Sequence, residues 1–202
     1  MDQSVQQAMT APKFKRLAPE ARASELVQAG LRVLSRGGIT AFTIDNICKA
    51  AGASRGLVGH YFGGKDGLLA ACYAAAYAPL MRAVAQDGSP LSLTELIEEL
   101  LGDSHLSTED MTIWLALWGE IAINPVLRAE HLRHYRTYRA AIAQATARHF
   151  GRDRPDATDD TVATALIALL DGIWLESSIA PSEMSRDRAR AAVEVLLRGA
   201  VR

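Results

Sequence analysis

Apolar positions along this chain recur at intervals of three and four residues almost from end to end, and no alternating pattern survives anywhere. From Pro19 onward, Leu26, Val27, Ala29, Leu31, Val33 and Leu34 keep helical spacing until Gly37-Gly38 stops the run. Past position 91 the same periodicity predicts helices over about residues 92–102, 107–123, 125–150, 157–178 and 186–201. Turn-rich pieces separate them, Gly151-Arg152-Asp153-Arg154-Pro155 and Ala180-Pro181-Ser182 among them. With neither a strand pattern nor an internal repeat, the expected fold is all-α with about nine helices.

Residues 43–65 break that rhythm, because two short helices follow each other with almost no connection. Thr43 is placed to cap the first, whose inward face carries Ile44, Ile47 and Ala50 or Ala51. Gly52 ends it, Ala53 completes the turn, and Ser54 offers a new N-cap. The second helix runs to about Phe62, burying Leu57, Val58 and Phe62 and leaving Ser54, Arg55, Gly56, Gly59 and His60 outward. Helices joined this tightly cross steeply, the geometry of a helix-turn-helix that offers its second helix to the DNA major groove. Gly56 and Gly59 permit close approach, Arg55 and His60 supply donors, and the Tyr61 phenol reaches a phosphate. Lys65 opens the next helix, where its charge and free backbone N–H groups face a phosphate together.

A short helix pair with a small-residue turn is also compatible with a plain core hairpin, and charge separates the two readings. Residues 1–70 hold nine Lys or Arg against five Asp or Glu, whereas the remainder holds 13 against 18. A chain with a net charge of only −1 therefore hides a basic end, as expected when one end touches phosphates.

After Lys65 a long helix runs through Leu69, Ala76 and Leu80, with Pro79 expected to bend or interrupt it. It joins the basic head to the rest, and Asp87-Gly88-Ser89-Pro90 reads as a linker beyond it. The expected organisation is a flexible arm over residues 1–18, a helix-turn-helix domain over 19–66, and a helical ligand-binding and dimerisation domain over 67–202. Lys13, Lys15 and Arg16 make the arm partly basic, either a solvated tail or a segment lying along DNA.

Two late helices suggest a partner. Between Thr161 and Ile179 almost no polar face remains, so that helix needs cover on both sides. Its Leu166, Leu170 and Ile173, with Val193, Leu196 and Leu197 of the last helix, are expected to form a four-helix interface with a second copy. Duplication also suits the head, since paired reading helices ~34–36 Å apart read a palindrome where one touches too few bases.

The 202 residues are 49% hydrophobic, ample for a packed core. The longest uncharged run, Leu68 to Met81, is shorter than the ~20 residues that span a bilayer, and Met1 to Thr10 is polar, unlike a signal peptide. The expectation is a cytoplasmic protein without membrane or cofactor. Cys48 and Cys72 sit in apolar helical patterns as buried small hydrophobes.

The candidate ligand chemistry is aromatic. Trp114 and Trp118 share one helix face, Tyr135 and Tyr138 another, and Trp174 lies in the apolar helix. Such rings either pack as core or line a pocket, and π faces attract cations, quaternary ammonium above all. A cation also wants a carboxylate. Asp171 lies on the face of Trp174, whereas Glu176 points away from it and Glu120 away from Trp114, so Asp171 is the preferred counter-charge. Glu130, His131 and His134 have metal-like spacing but lack a further ligand and read as a solvated face, so no metal is expected. Gly102-Asp103-Ser104-His105 lies between helices rather than after a strand, which leaves a hydrolytic enzyme as a remote alternative. An architectural DNA-binding protein would need no large C-terminal body.

Over residues 20–75 the chain resembles the DNA-binding segment of the TetR family of transcription regulators, most specifically in Tyr61-Phe62, Lys65 and Leu68-Leu69. That resemblance implies DNA contacts at Thr43, Ser54, Arg55, His60, Tyr61 and Lys65. The sequence departs from the family at Gly59, where many members carry a larger side chain, often Tyr. The runs WLALWGEIAINPVL (114–127) and ALLDGIWLE (168–176) resemble the choline-sensing repressors of the BetI type. This implies a dimeric repressor of a palindromic operator, released by choline or a relative. An unrelated apolar effector, with the aromatic residues serving as core, is the alternative.

Overall fold

The computed structural model describes residues 19–84, 91–102 and 107–200, which form nine α-helices and no strand. The expected arm, the linker at residues 87–90 and residues 103–105 of the serine-containing run lie outside the described residues. In chain order the helices are α1 (Pro19–Ala41), α2 (Ile44–Ala51), α3 (Arg55–Phe62), α4 (Lys65–Val84), α5 (Leu93–Leu100), α6 (Thr108–Ile123), α7 (Pro125–His149), α8 (Ala157–Ile179) and α9 (Arg186–Gly199).

The boundaries follow local chemistry. Gly38, at φ 59° and ψ −158°, kinks α1 where the glycine pair was expected to end it, and no side chain tolerates that backbone region readily. Thr43 caps α2 by accepting from the Asn46 N–H, and Gly52 closes it in the left-handed region, where the Ala53 N–H reaches the Cys48 carbonyl at 2.9 Å. Ser54 occupies the N-cap of α3, but its hydroxyl makes no capping bond and stays exposed. Asn124 caps α7 with Pro125 behind it, and Asp156 forms a capping box with Asp159 at the start of α8. Asp159 is fully buried, and the Arg152 guanidinium bonded to it holds its carboxyl below the usual range. α4 runs through Pro79 without interruption, contrary to the stronger form of the expectation.

Helices α1 to α4 form the head around Leu26, Leu34, Phe42, Ile47, Val58, Leu68 and Leu69, all buried. α4 is shared, packing against α1 and α3 in the head and against α5, α6 and α7 in the body. Two glycines set the spacing. A Cβ on Gly67 would stand 1.9 Å from the Phe62 carbonyl oxygen, and one on Gly30 would stand 2.5 Å from the Cys72 sulfur. Cys48 and Cys72 are both buried free thiols, and burial pushes Cys72 up to about 12.

α4 and α8 are each long and apolar enough to cross a membrane by length and composition, yet both pack within the helical body. The expected interface residues need correction. Leu166, Leu170, Ile173 and Val193 are at most 2% exposed within one chain, where α8 lies against α7 and α9, so no partner can reach them. Leu196 and Leu197 are half-buried against the same core. The outward side chains are others, chiefly Ala168 and Ile179 of α8 and Val195 of α9.

Candidate DNA-reading head and effector cavity

Across the head, the outer surface of α2 and α3 carries most of the sequence-expected contacts. Thr43, Ser54, Arg55, Gly56, His60 and Lys65 are exposed, and Tyr61 is half-buried between the rings of His60 and Phe62. Space around Gly56 and Gly59 is open, with no atom within 4 Å of a Cβ placed on either. Gly59 is mid-helix, where glycine costs about 0.8–1.0 kcal/mol relative to alanine, and no contact among the described residues requires its small size. Arg55 is not free: its guanidinium makes a two-pronged bond to the Asp45 carboxylate on α2. That partner keeps Asp45 ionised below the ordinary carboxylate range and aims Arg55 across the front of the helix pair.

In the body, α4, α6, α7 and α8 line a half-open cavity of about 420 Å³, a size suited to a small organic ligand. All six sequence-expected residues line it: Trp114 and Trp118 from α6, Tyr135 and Tyr138 from α7, Asp171 and Trp174 from α8. The Trp174 N–H donates to the Leu100 carbonyl at 3.0 Å, tying α8 to the end of α5. Sequence reasoning missed Tyr73, Tyr77 and Leu80 of α4 and His131 of α7. The first three recur at four and three residues and form one face, a readable signal on a helix taken only for a connector.

The rings are arranged edge to face. Trp114 lies 5.9 Å from Tyr73 and 5.6 Å from Tyr77, both near perpendicular, and Tyr77 meets Tyr138 at 5.9 Å and 89°. Tyr73 shares a 2.8 Å hydrogen bond with His131 Nδ1, and His134 bonds to Glu130 at 2.9 Å. These pairings occupy the histidines that had metal-like spacing, and no metal-holding cluster occurs among the described residues. Burial, with His134 nearby, keeps His131 below the ordinary imidazole value and therefore neutral at pH 7.

Asp171 is the only carboxylate in the lining, which holds no Lys or Arg. No hydrogen bond or ion pair reaches it among the described residues, and burial pushes its carboxyl up to about 6. Burial also raises Tyr73, Tyr77 and Tyr138, with the Asp171 charge a further cause, so all three phenols keep their protons. The result is an aromatic box with one unpaired negative group on its wall.

Residues 26–72 match the family described as bacterial regulatory proteins, tetR family, and residues 92–202 match that described as BetI-type transcriptional repressor, C-terminal. The chain belongs to the TetR family. It is similar to the transcriptional regulator BetI of Burkholderia thailandensis, 32% identical over 168 residues that cover 80% of this chain and 84% of that one. BetI 1 of Chromohalobacter salexigens is 32% identical over 84% of this chain and 85% of its own length. Among solved structures, a transcriptional regulator from Pseudomonas aeruginosa PAO1 superposes with TM-score 0.78 at 31% identity, covering 93% of this chain and 94% of that one. A regulator from Saccharomonospora viridis, solved in complex with choline, shares the fold at TM-score 0.69 and 22% identity, covering 90% and 97% of the two chains. This TetR-family chain is thus a BetI-type transcriptional regulator, and the enzyme alternative falls. TetR-family regulators bind operator DNA, typically as dimers, and respond to small-molecule effectors.

Proposed function

We propose that this cytoplasmic protein represses transcription by binding a palindromic operator as a homodimer, and that a quaternary ammonium compound such as choline, entering the aromatic cavity, releases it. The observation that carries this reading is the unpaired Asp171 carboxylate among Trp114, Trp118, Tyr77 and Trp174. A trimethylammonium group gains cation–π attraction from the rings and Coulomb attraction from Asp171, while its methyl groups accept the dry surroundings. The Saccharomonospora viridis regulator with choline supports the same ligand class. Calorimetric titration at pH 7.5 tests it: choline should give a saturable one-site isotherm, and no heat at millimolar concentrations contradicts it.

On the DNA side, Thr43, Ser54, Arg55, Gly56, His60, Tyr61 and Lys65 make the contacts in this reading. Exposure of the polar members and the open space at Gly56 support it. Arg55→Ala should weaken operator binding and reduce the slope of log affinity against log salt by about 1. Asp45→Ala, which frees the guanidinium, should strengthen binding to arbitrary duplex; unchanged salt slopes in both variants contradict the role given to Arg55. The dimer seam in this reading uses the outward edges of α8 and α9, where Ala168, Ile179 and Val195 offer small and apolar surface. The head in this reading extends into α4 past the expected boundary at residue 66, because Leu68 and Leu69 belong to its core.

α4 is the coupling element, because one helix carries Lys65 at the head and Tyr73, Tyr77 and Leu80 in the cavity wall. A second link joins the same regions. The Asn124 amide, at the junction of α6 and α7, donates to the Asp66 carboxylate at 3.0 Å while its oxygen caps α7. Ligand that shifts α6 and α7 against α4 therefore shifts the head. Asp66→Ala should leave choline affinity within about twofold while reducing the choline-induced loss of operator affinity. Full release in that variant would assign the coupling to the packing of α4 and of α1 against the body, without the Asn124–Asp66 bond.

A further inference from the structure

Arg55 opens α3, and the reading helix of a helix-turn-helix sets its N-terminal residues against base edges. The side chain arrives there already paired: Nε and Nη2 both donate to the carboxylate of Asp45, in the first turn of α2. Stability does not account for this pair. Its side chains are 71% and 60% exposed, and an ion pair so open to water contributes little to folding. A phosphate contact does not account for it either. The carboxylate repels a phosphate, and Lys65, exposed and in no ion pair among the described residues, is the cation left free for one.

What the pair supplies is orientation. A guanidinium is planar, so holding one of its edges fixes the direction of the others. The side-on fork to Asp45 leaves the end-on edge, where Nη1 and the remaining Nη2 hydrogen donate side by side. Nη1 has no partner among the described residues. In the major groove, guanine alone offers a matching pair of acceptors, O6 and N7; adenine pairs an acceptor with a donor, thymine has one acceptor, and cytosine presents a donor.

We propose that Asp45 is the positioning residue that makes Arg55 a guanine reader: the carboxylate holds the side-on edge of the guanidinium, and the end-on edge pairs with O6 and N7 of one guanine in each half of the operator. This rests on the DNA-binding reading above and adds to it a base identity and the residue that enforces it. Without Asp45 the guanidinium turns to the nearest phosphate, so affinity for arbitrary duplex is kept or gained while discrimination between bases is lost.

The test uses the full chain, as wild type, Arg55→Ala and Asp45→Ala, each selecting bound duplexes from a random-sequence pool. Wild type should enrich a palindrome holding a guanine in each half that Arg55→Ala no longer selects and Asp45→Ala selects weakly. The enriched duplex is then compared with one carrying 7-deazaguanine at that position, which keeps Watson–Crick pairing and lacks the N7 acceptor. The replacement should cost wild type at least about fivefold in affinity, Asp45→Ala no more than about twofold, and Arg55→Ala nothing. The ratio between the two duplexes is the readout, because a general disturbance of the head weakens binding to both alike. A selected palindrome with no guanine that depends on Arg55, or a 7-deazaguanine penalty in Asp45→Ala equal to that in wild type, overturns the inference and leaves the DNA-binding reading standing. Wild type that enriches no duplex overturns that reading itself, and the assignment of Asp45 with it.

Discussion

Asp171→Asn should abolish high-affinity choline binding and, in the same protein, raise the melting temperature of the ligand-free state. Both effects come from one carboxyl. Its folded value of about 6 lies above the ordinary 3.8 because burial penalises the charged form. The sign follows: the folded state bears the cost of the buried charge at pH 7, and stability rises as pH falls from about 6 toward the unfolded value. A shift of this size corresponds to at most about 3 kcal/mol, and the partial exposure of Asp171 reduces it, so a gain of about 1–2 kcal/mol is expected for Asn. Differential scanning calorimetry reads the gain as an upward shift of a few degrees. Choline affinity of the wild type should fall about tenfold between pH 7.5 and pH 5 as Asp171 takes up its proton. Protonation of His131 in the same wall acts in the same direction. A variant that binds choline normally, or one that melts lower, removes Asp171 from its assigned role.

Gly67→Ala should destroy operator binding while leaving the cavity intact. Its Cβ would stand 1.9 Å from the Phe62 oxygen and 3.0 Å from the carbonyl carbon, both backbone atoms, so no side-chain rotation relieves the clash. α3 and α4 must separate, which moves His60, Tyr61 and Lys65 relative to one another. Overpacking of this kind costs about 1–3 kcal/mol, and the displaced reading helix should lose at least about 100-fold in operator affinity. Choline affinity should stay within about threefold, because Tyr73 and Tyr77 lie beyond the disturbed turn. Normal operator binding by Gly67→Ala would show that the α3–α4 spacing does not position the contacts.

Much of this arrangement was legible along the chain because its boundaries are set by local chemistry. Thr43, Gly52, Asn124 and Asp156 mark helix ends by hydrogen bonds or backbone angles that need no tertiary information. The cavity was partly legible, since Trp114, Trp118, Tyr135 and Tyr138 stand at spacings that force a shared face, and Asp171 lies three positions before Trp174. What was not legible depended on which face a neighbour covers. α8 is apolar all round, so periodicity alone could not tell the face buried by α7 and α9 from the face left outside, and Leu166, Leu170 and Ile173 were assigned to the wrong one. Tyr73 and Tyr77 belong to a helix whose length and proline suggested a connector, and only the packing of α4 on α6 and α7 turns them into a cavity wall. The Arg55–Asp45 pair joins two helices across ten positions, a relation fixed by the crossing of α2 and α3 rather than by any repeat.

The most direct measurement of the central claim is fluorescence anisotropy of a labelled duplex from the region upstream of the protein's own gene, titrated with protein at fixed salt, with and without saturating choline. Salt-sensitive binding by a dimer, weakened at least about tenfold by choline in wild type but not in Asp171→Asn, is the expected result. Binding that choline leaves unchanged in wild type would contradict the link between the aromatic cavity and the DNA-reading head.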